Sequence, residues 1–194
     1  MSSTNRGAER NERDFYPTPR TAFLPLIGFL PTTLSIWEPA CGDGRLIEMM
    51  AAYGLCAGGS DLKNGYDYLE DVTYRECVVT NPPFILAMDF CDHAIRLSGE
   101  TFLLLRLNFL GSQKRGPWFK CNEPSALFVL SDRPSFVQSI TCRECGWKAR
   151  IAAEEVRPDS CGVCASTKIK ITNSDSCEYA WFYWGHRHSG IKHL

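Results

Sequence analysis

The chain has 194 residues, of which 44% are hydrophobic and 22% charged, proportions typical of a globular protein with its own core. Its formal net charge of −1 at pH 7 excludes a wholly basic nucleic-acid wrapper, although a local basic face remains compatible with it. Residues 1–14 have no apolar signal core, and no apolar run approaches the roughly 20 residues that span a bilayer, so we expect a cytoplasmic protein without a membrane partner.

The N-terminal residues predict a polar arm followed by a short helix. Residues 1–13 are polar and charged, and we expect them to be disordered. The aromatic segment 14–19 is extended in this interpretation and enters a helix with Thr18 as the N-cap and proline at its first position. The helix is predicted to run to about Leu30, with a kink or break at Pro25 because proline removes a helical N–H group.

A glycine turn at residues 39–44 separates a short apolar strand from an apolar helix. The next strand, over 57–62, carries Asp61 roughly 20 residues beyond the glycines, where a ribose-binding carboxylate belongs. This order is that of half a nucleotide-binding βαβ unit, and a tight strand-to-helix connection is the alternative for the turn alone. We expect that glycine is needed at positions 42 and 44 because a side chain there would block the close approach of a ligand to the backbone.

Residues 81–84, Asn-Pro-Pro-Phe, follow a predicted strand over 76–80 and precede a predicted helix over 85–97. Each proline fixes φ and removes an N–H group, so the carbonyls at this corner can point outward. The Asn81 side-chain oxygen and the carbonyl beside it are suited to accept both hydrogens of one exocyclic amine, with Phe84 stacked on its ring. Asn-Pro is also an ordinary turn initiator. In an open α/β sheet, however, ligands bind outside the carboxyl ends of the strands, where this corner and the glycine turn would share one crevice.

Two further strands are predicted over 101–107 and 126–130, and the segment between them combines basic and aromatic residues. Its cations are suited to phosphate contacts and its rings to base stacking, while a loop with a few buried rings is the alternative. The cations are Lys114, Arg115 and Lys120. A last aromatic strand over 178–184 is expected to pack one set of side chains inside and to border the crevice with the other. The three histidines of the tail, 186–194, are only weak support for a metal site, because free tails often carry histidines.

The segment 139–172 contains two Cys-x-x-Cys pairs with fifteen residues between them. The four cysteines are Cys142, Cys145, Cys161 and Cys164. This spacing matches a tetrahedral four-thiolate zinc site built from two knuckles, whose tight turns Gly146 and Gly162 would favour. A secreted disulfide framework is the competing interpretation, but we favour reduced cysteines in a chain of this size without a signal peptide. The segment is mildly basic, and we expect nucleic-acid contacts from Arg143, Lys148 and Arg150, beside a structural role of the metal.

With these residues in view, the chain resembles the S-adenosylmethionine-dependent amino-methyltransferases of DNA, in particular those that modify the N6 amine of adenine. Residues 81–84 match the catalytic motif Asp/Asn/Ser-Pro-Pro-aromatic, and residues 38–44 look like the glycine turn that binds the methionine part of the cofactor. Asp61 falls where the family has its ribose-binding acid. Residues 67–69 resemble the motif whose acid contacts the cofactor adenine, and residues 15–19 look like the N-terminal cofactor motif.

The resemblance implies a Rossmann-like, doubly wound α/β methyltransferase sheet over 14–138 and 173–194, with the predicted zinc ribbon inserted over 139–172. It implies S-adenosylmethionine as cofactor, beside the zinc predicted from the cysteines. It also implies a DNA partner in a prokaryotic or phage-infected cell, as for the small phage-encoded members. The implied catalytic residues are Asn81, Pro82, Pro83 and Phe84. The implied cofactor contacts are Phe15, Tyr16, Thr18, Glu38, Ala40, Cys41, Gly42, Asp43, Gly44, Asp61, Leu62, Asp67, Tyr68 and Asn81.

The chain departs from this family in having no large target-recognition domain. Only about residues 110–177 are available for one, and the cysteine segment fills much of that range. Duplex DNA, single-stranded DNA and RNA therefore stay open as partners. Adenine in RNA, the N4 amine of cytosine in DNA and a protein glutamine amide present similar planar amines. A zinc-ribbon adaptor that binds nucleic acid without catalysis is an alternative of another class, disfavoured by the retention of Asn81, Asp61 and both turn glycines.

Overall fold

The computed structural model describes residues 17–152, 157–173 and 177–194. The arm predicted over residues 1–13 and the expected cofactor contacts Phe15 and Tyr16 lie outside the described residues. The α-helices are α1 (Arg20–Phe23), α2 (Arg45–Ala52), α3 (Ala87–Leu97) and α4 (Gly116–Cys121). Short 3₁₀ helices span Leu24–Phe29, Leu62–Asn64, Tyr68–Glu70, Phe84–Leu86 and Leu107–Phe109. The strands are β1 (Ile36–Glu38), β2 (Ala57–Gly59), β3 (Arg75–Thr80), β4 (Ser98–Arg106), β5 (Ala126–Val129), β6 (Val137–Cys142), β7 (Lys148–Ala152), β8 (Ile169–Asn173), β9 (Tyr179–Trp184) and β10 (Gly190–His193).

The main sheet has seven strands in the order β10-β5-β9-β4-β3-β1-β2. At one end of the sheet β10 pairs in parallel with β5. Strand β9 lies between β5 and β4 and is antiparallel to both. The other half, from β4 to β2, is entirely parallel. The chain passes from β1 to β2 on one side and then returns to place β3 on the other side of β1. Because ligands of open α/β sheets bind where the strand order reverses, the carboxyl ends of β1 and β3 define the expected site.

Both faces of this sheet are covered, as a doubly wound fold requires. Buried apolar residues form two clusters, which we call the first and the second core. Helix α2 contributes Leu46, Met49 and Met50, which share one face of the helix, to the first core, and α1 contributes to the same core. Helix α3 closes the second core, in which Ala87 and Cys91 are buried. The predicted fold class, a mostly parallel Rossmann-like α/β sheet with a small cysteine-bearing insertion, is confirmed.

The aromatic strand β9 contributes to both cores. Its alternate residues Tyr179, Trp181 and Tyr183 lie in the first core, and the other three residues lie in the second. All six side chains are buried, so the expectation that one set borders the crevice is wrong for most of the strand. The indole N–H of Trp181 donates to the carbonyl of Ala22 at 2.8 Å, which satisfies the polar atom that burial of this ring brings inside.

At the N-terminus the predicted break of the helix at Pro25 is observed, whereas the predicted cap is not. The first helix ends after one turn at Phe23 and continues as a 3₁₀ helix, because Pro25 has no N–H group for an α-helical bond. Its N-cap is Pro19, and no side chain caps it, so the predicted capping role of Thr18 is wrong. The end of the histidine-rich tail forms β10, which pairs in parallel with β5. His188, before this strand, packs against Phe128, and its Nε2–H donates to the backbone carbonyl of Phe29 at 2.8 Å.

The insertion forms a separate antiparallel sheet of three strands in the order β7-β6-β8. Among the helices that the structure describes, none has the length and apolarity needed to cross a membrane.

Candidate active site and cysteine cluster

A cleft of about 670 Å³ opens at the carboxyl ends of β1, β2 and β3, where the strand order reverses. It is lined by residues from each expected cofactor motif that the structure describes and from the expected catalytic corner. These are Thr18, Ala40, Cys41, Asp43, Asp61, Leu62, Asp67, Tyr68, Asn81, Pro82, Pro83 and Phe84. The expected cofactor contacts Glu38, Gly42 and Gly44 are not among the lining residues, although each is a chain neighbour of one that is. The sheet therefore brings together the expected cofactor residues and the expected catalytic corner.

The glycine turn depends on backbone conformation rather than on free space. Gly42 and Gly44 have φ values of +57° and +84°, in the left-handed region that side chains disfavour. A Cβ atom added at Gly44 would meet no heavy atom within 4 Å. The left-handed backbone therefore accounts for glycine at this position, and the expectation that a side chain there would block a ligand stays a prediction.

Close packing instead requires Gly59, at the end of β2, which the sequence did not single out. A Cβ atom there would lie 2.5 Å from the backbone oxygen of Glu38 and 2.7 Å from Cδ1 of Ile47. Strand β2 can approach β1 and α2 only because this residue has no side chain.

Asp61 joins the second strand to the glycine turn. Its carboxylate accepts hydrogen bonds from the backbone N–H groups of Gly42 at 2.8 Å and Lys63 at 2.9 Å. The residue is buried and yet lines the cleft. Since a carboxylate has about four acceptor positions, Asp61 can fix the turn and still accept bonds from a ligand.

Glu38 is a buried acid at the end of β1. The Thr80 hydroxyl and the Ala40 N–H group, the latter at 3.2 Å, both donate to its Oε1 atom. Oε2 has no hydrogen-bond partner among the described residues. Burial, reinforced by the nearby charge of Asp61 and opposed by the two hydrogen bonds, raises the pKa of Glu38 to about 8. The carboxyl group is therefore mostly protonated at pH 7.

The corner at residues 81–84 ends β3 and opens onto the cleft. The N–H of Leu86 donates to the Pro83 carbonyl at 2.9 Å, which starts the 3₁₀ helix after the prolines. The Phe84 ring lies 6.2 Å from the ring of Tyr179 and has the guanidinium of Arg106 over it at 4.6 Å. A flat heterocycle stacked on Phe84 would therefore have to use the other face of the ring.

Arg106 is a residue of this site that the sequence analysis missed. It ends β4, the strand beside β3, and its Nε–H donates to the Tyr179 hydroxyl at 3.1 Å. The available signal was a charge directly after the apolar run 102–105 of this strand, but only the strand order places it beside Phe84.

Asp67 and Tyr68 also line the cleft. Asp67 is exposed, and its Oδ1 accepts a bond from the N–H of Leu69 at 2.9 Å, which caps the next 3₁₀ helix. Tyr68 is buried against Phe90, and its hydroxyl has no hydrogen-bond partner among the described residues. Burial, with the charge of Asp71, raises the pKa of Tyr68, so this hydroxyl stays protonated and able to donate.

The basic segment after β4 uses its rings for packing. Phe109, Trp118 and Phe119 pack against the second core, which is the alternative that the sequence left open. Arg115 lies over the Phe109 ring at 4.4 Å and donates to the Phe109 carbonyl at 2.7 Å. Lys114 and Lys120 are exposed, as are Arg143, Lys148 and Arg150 of the insertion.

The four predicted cysteines converge at one end of the insertion. Their Sγ atoms all lie within 4.8 Å of one another, and those of Cys142 and Cys164, and of Cys145 and Cys161, are 3.6 Å apart. A tetrahedral zinc ion with Zn–S bonds of about 2.3 Å sets its sulfurs about 3.8 Å apart. The cluster therefore has the dimensions of a four-thiolate zinc site.

The two knuckles have the same hydrogen bonds. Cys142 N–H donates to the carbonyl five residues later, and Gly146 N–H donates back to Cys142; Cys161 and Ala165 repeat both bonds. The residues after the second cysteine of each knuckle are left-handed, with φ of +74° at Gly146 and +54° at Ala165. The expected turn role of Gly162 is wrong, because the left-handed position of the second knuckle is Ala165. Burial raises the pKa of the Cys161 thiol, but hydrogen bonds from the backbone N–H groups of Cys164 and Val163 outweigh burial and lower this pKa to about 7.

No protein-family model matches the chain, and no curated protein matches it. Among solved structures the chain is similar to the precorrin-6y C5,15-methyltransferase of Geobacter metallireducens GS-15, with 10% sequence identity and a TM-score of 0.42. The alignment covers 87% of this chain and 94% of that chain. A likeness this distant carries no argument, so the strand order and the cleft have to support any function.

Proposed function

We propose that the protein transfers the methyl group of S-adenosylmethionine to the N6 amine of adenine in DNA. The observation that carries the proposal is the shared cleft: the turn fixed by Asp61 and the corner at residues 81–84 line the same cavity. The two features suit a cofactor and an acceptor, respectively, and are contributed by strands on either side of the reversal in strand order.

The cleft fits a nucleoside cofactor. Its volume of about 670 Å³ lies in the range of about 300–1,000 Å³ found for small-molecule sites. Asp61 has acceptor positions for ribose hydroxyls beyond its two backbone bonds, and Tyr68 lines the same cleft. Asp67, Leu62 and the turn residues Ala40 to Asp43 are the proposed further contacts.

When bound, S-adenosylmethionine supplies a methyl group that is already electrophilic because it is attached to a sulfonium. The protein then has to hold the amine in line, which is catalysis by positioning. The Asn81 Oδ1 atom and the Pro82 carbonyl are the proposed acceptors for the two amine hydrogens. These bonds favour a tetrahedral nitrogen and stabilise the positive charge that develops on it.

The target base must leave the duplex to reach this corner, and Phe84 is the proposed stacking partner. No covalent intermediate is needed. Burial and the charge of Asp61 raise the pKa of Cys41, so this thiol of the turn stays protonated at neutral pH and is unsuited to act as a nucleophile.

Transfer of tritium from labelled S-adenosylmethionine to DNA tests the proposal, with RNA and protein substrates assayed beside it. Asn81→Ala is expected to lose transfer while cofactor binding, measured by calorimetry, stays unchanged. Asp61→Ala is expected to lose cofactor binding. Full activity of Asn81→Ala would contradict the proposed role, and transfer to RNA or protein alone would reassign the substrate.

We also propose that the four cysteines bind one zinc ion that stabilises the insertion. Thiolates at this spacing suit zinc, and a small three-stranded sheet has too little core to fold alone. Elemental analysis is expected to give one zinc per chain and none after Cys142→Ser and Cys161→Ser together. A wild-type protein without zinc would contradict the proposal.

A further inference from the structure

The three-stranded sheet of the insertion has two unlike faces. Along β6, Gln138, Ile140 and Cys142 are buried, whereas Ser139 and Thr141 on the other face are only half-buried. Successive residues of a strand point to opposite faces, so these two sets belong to two different surfaces of the sheet.

The pairing register extends the second face across all three strands. Residues directly opposite each other in antiparallel strands share a face. Thr141 pairs with Lys148 of β7 and with Lys170 of β8, and Ser139 pairs with Arg150 and Thr172. We call these six residues the basic face: Ser139, Thr141, Lys148, Arg150, Lys170 and Thr172.

The basic face carries three cations and three hydroxyls and no acid, and the next pair on the same side of the sheet, Val137 and Ala152, is apolar and bounds it. Lys148, Arg150 and Lys170 are all exposed. Within described residues 137–152 and 157–173 the acids are Glu144 and Asp159, and Glu144 forms an ion pair with Lys168, which lies outside the face. With strands about 4.8 Å apart and alternate residues about 6.7 Å apart, the three cations are concentrated in an area a few residues wide.

This composition suits a phosphate backbone. Most protein–DNA hydrogen bonds go to phosphate oxygens from Arg, Lys, Ser and Thr side chains and backbone N–H groups. All six residues of the basic face are Arg, Lys, Ser or Thr, and none has an aromatic ring that could stack on a base. The register places Thr141 between Lys148 and Lys170 and Ser139 beside Arg150, so a hydroxyl donor lies next to each cation for the same phosphate.

The insertion is attached beside the proposed acceptor corner. Strand β6 begins at Val137, directly after Phe136, whose buried ring packs edge-on against Phe84 at 6.4 Å and against Tyr179 at 5.0 Å. The central strand of the basic face therefore starts at the residue next to the wall of the catalytic corner.

We propose that the basic face binds the phosphate backbone of duplex DNA, independently of sequence, and so delivers the substrate to the cleft. The choice of DNA rests on the proposed function, whereas the binding itself does not require catalysis.

The test is binding of a fluorescent DNA duplex to the zinc-loaded protein at several salt concentrations, without S-adenosylmethionine. The variant replaces the three cations: Lys148→Gln, Arg150→Gln and Lys170→Gln. Each phosphate contact contributes about −0.9 to the slope of log K against log salt, so the triple variant is expected to weaken the slope by about 2.7. The loss should be equal on unrelated duplex sequences.

Two controls separate charge from folding. The charge-preserving variant Lys148→Arg, Arg150→Lys and Lys170→Arg is expected to retain the wild-type slope, as is Arg96→Gln, which removes an exposed charge on α3. If the triple variant does not fold or loses its zinc, the single change Lys170→Gln is expected to weaken the slope by about 0.9.

Wild-type affinity and slope in the triple variant would overturn the inference even if methyl transfer to DNA is observed. Conversely, a protein that shows the expected slope change but transfers no methyl group would leave the inference standing and refute the proposed function. Stronger binding of an RNA duplex than of a DNA duplex through the same cations would overturn the assignment to DNA.

Discussion

Glu38→Gln tests the claim that a neutral carboxylic acid lies at the end of β1. The wild-type carboxyl group is buried with a pKa of about 8, against 4.5 for the unperturbed group. Because the folded state binds this proton more tightly than the unfolded chain, the contribution to stability is fully present below pH 4.5 and is lost as the pH rises through 8. Glutamine has a similar shape, can accept from Thr80 and Ala40, and does not titrate.

Proton linkage gives the size of the effect. With a pKa of 4.5 in the unfolded chain and about 8 in the folded protein, Glu38 lowers the free energy of unfolding by about 2 to 3 kcal/mol between pH 6 and pH 9. In Glu38→Gln the buried amide that replaces Oε2 costs a similar amount at both pH values. The change between pH 6 and pH 9 is therefore expected to be smaller in the variant by about 2 to 3 kcal/mol.

Urea unfolding at pH 6, 7, 8 and 9 measures this difference. Glu76→Gln is the matched control, because hydrogen bonds from Ser35 lower the pKa of Glu76 and it titrates below the window. The control is expected to follow the wild-type profile. Parallel profiles of wild type and Glu38→Gln would refute the reasoning and show that Glu38 is ionised in the folded protein.

Gly59→Ala is expected to cost about 1–3 kcal/mol in urea unfolding, because its Cβ would lie 2.5 Å from a backbone oxygen of β1; Gly28→Ala, with no atom within 4 Å of the added Cβ, is its control. Ala165→Gly is expected to stabilise the cysteine-bearing sheet by about 1 kcal/mol, since a side chain is disfavoured at φ +54°. The variant should release zinc to a chelator more slowly than the wild type, and faster release would contradict the prediction. Arg106→Leu removes the cation over Phe84, an interaction worth about 1 kcal/mol, and is expected to lower kcat about fivefold without changing cofactor binding. Arg106→Lys should recover part of the rate. An unchanged kcat in Arg106→Leu would exclude a role of Arg106 in positioning Phe84.

The sequence predicted what local patterns determine. The apolar runs gave β3, β4 and β9 within a few residues, because strands buried on both faces read as nearly continuous hydrophobic segments. The glycine turn and the corner at residues 81–84 were located because glycine and proline constrain the backbone itself. Their meeting in one cleft follows from the carboxyl ends of parallel strands sharing an edge.

Features that depend on distant partners were not predictable in this way. Strand β10 is polar and exposed along most of its length, and only its pairing with β5 makes it a strand. Arg106 reaches Phe84 because β4 lies beside β3, which no local pattern states. Ala165 adopts a left-handed conformation for which alanine gives no signal, since the repeated hydrogen bonds of the knuckle impose it.

The position of the insertion argues for a role beyond the sheet. Strands β5 and β9 are adjacent and antiparallel, with Val129 opposite Ala180, so a loop of a few residues would join them. Residues 130–178 lie between them in the chain, and the second sheet forms from this segment. The described residues of the segment contribute no strand to the main sheet. Since the excursion passes through Phe136, whose ring packs against Phe84, the insertion is attached beside the proposed acceptor corner, which the pairing of β5 with β9 alone does not require.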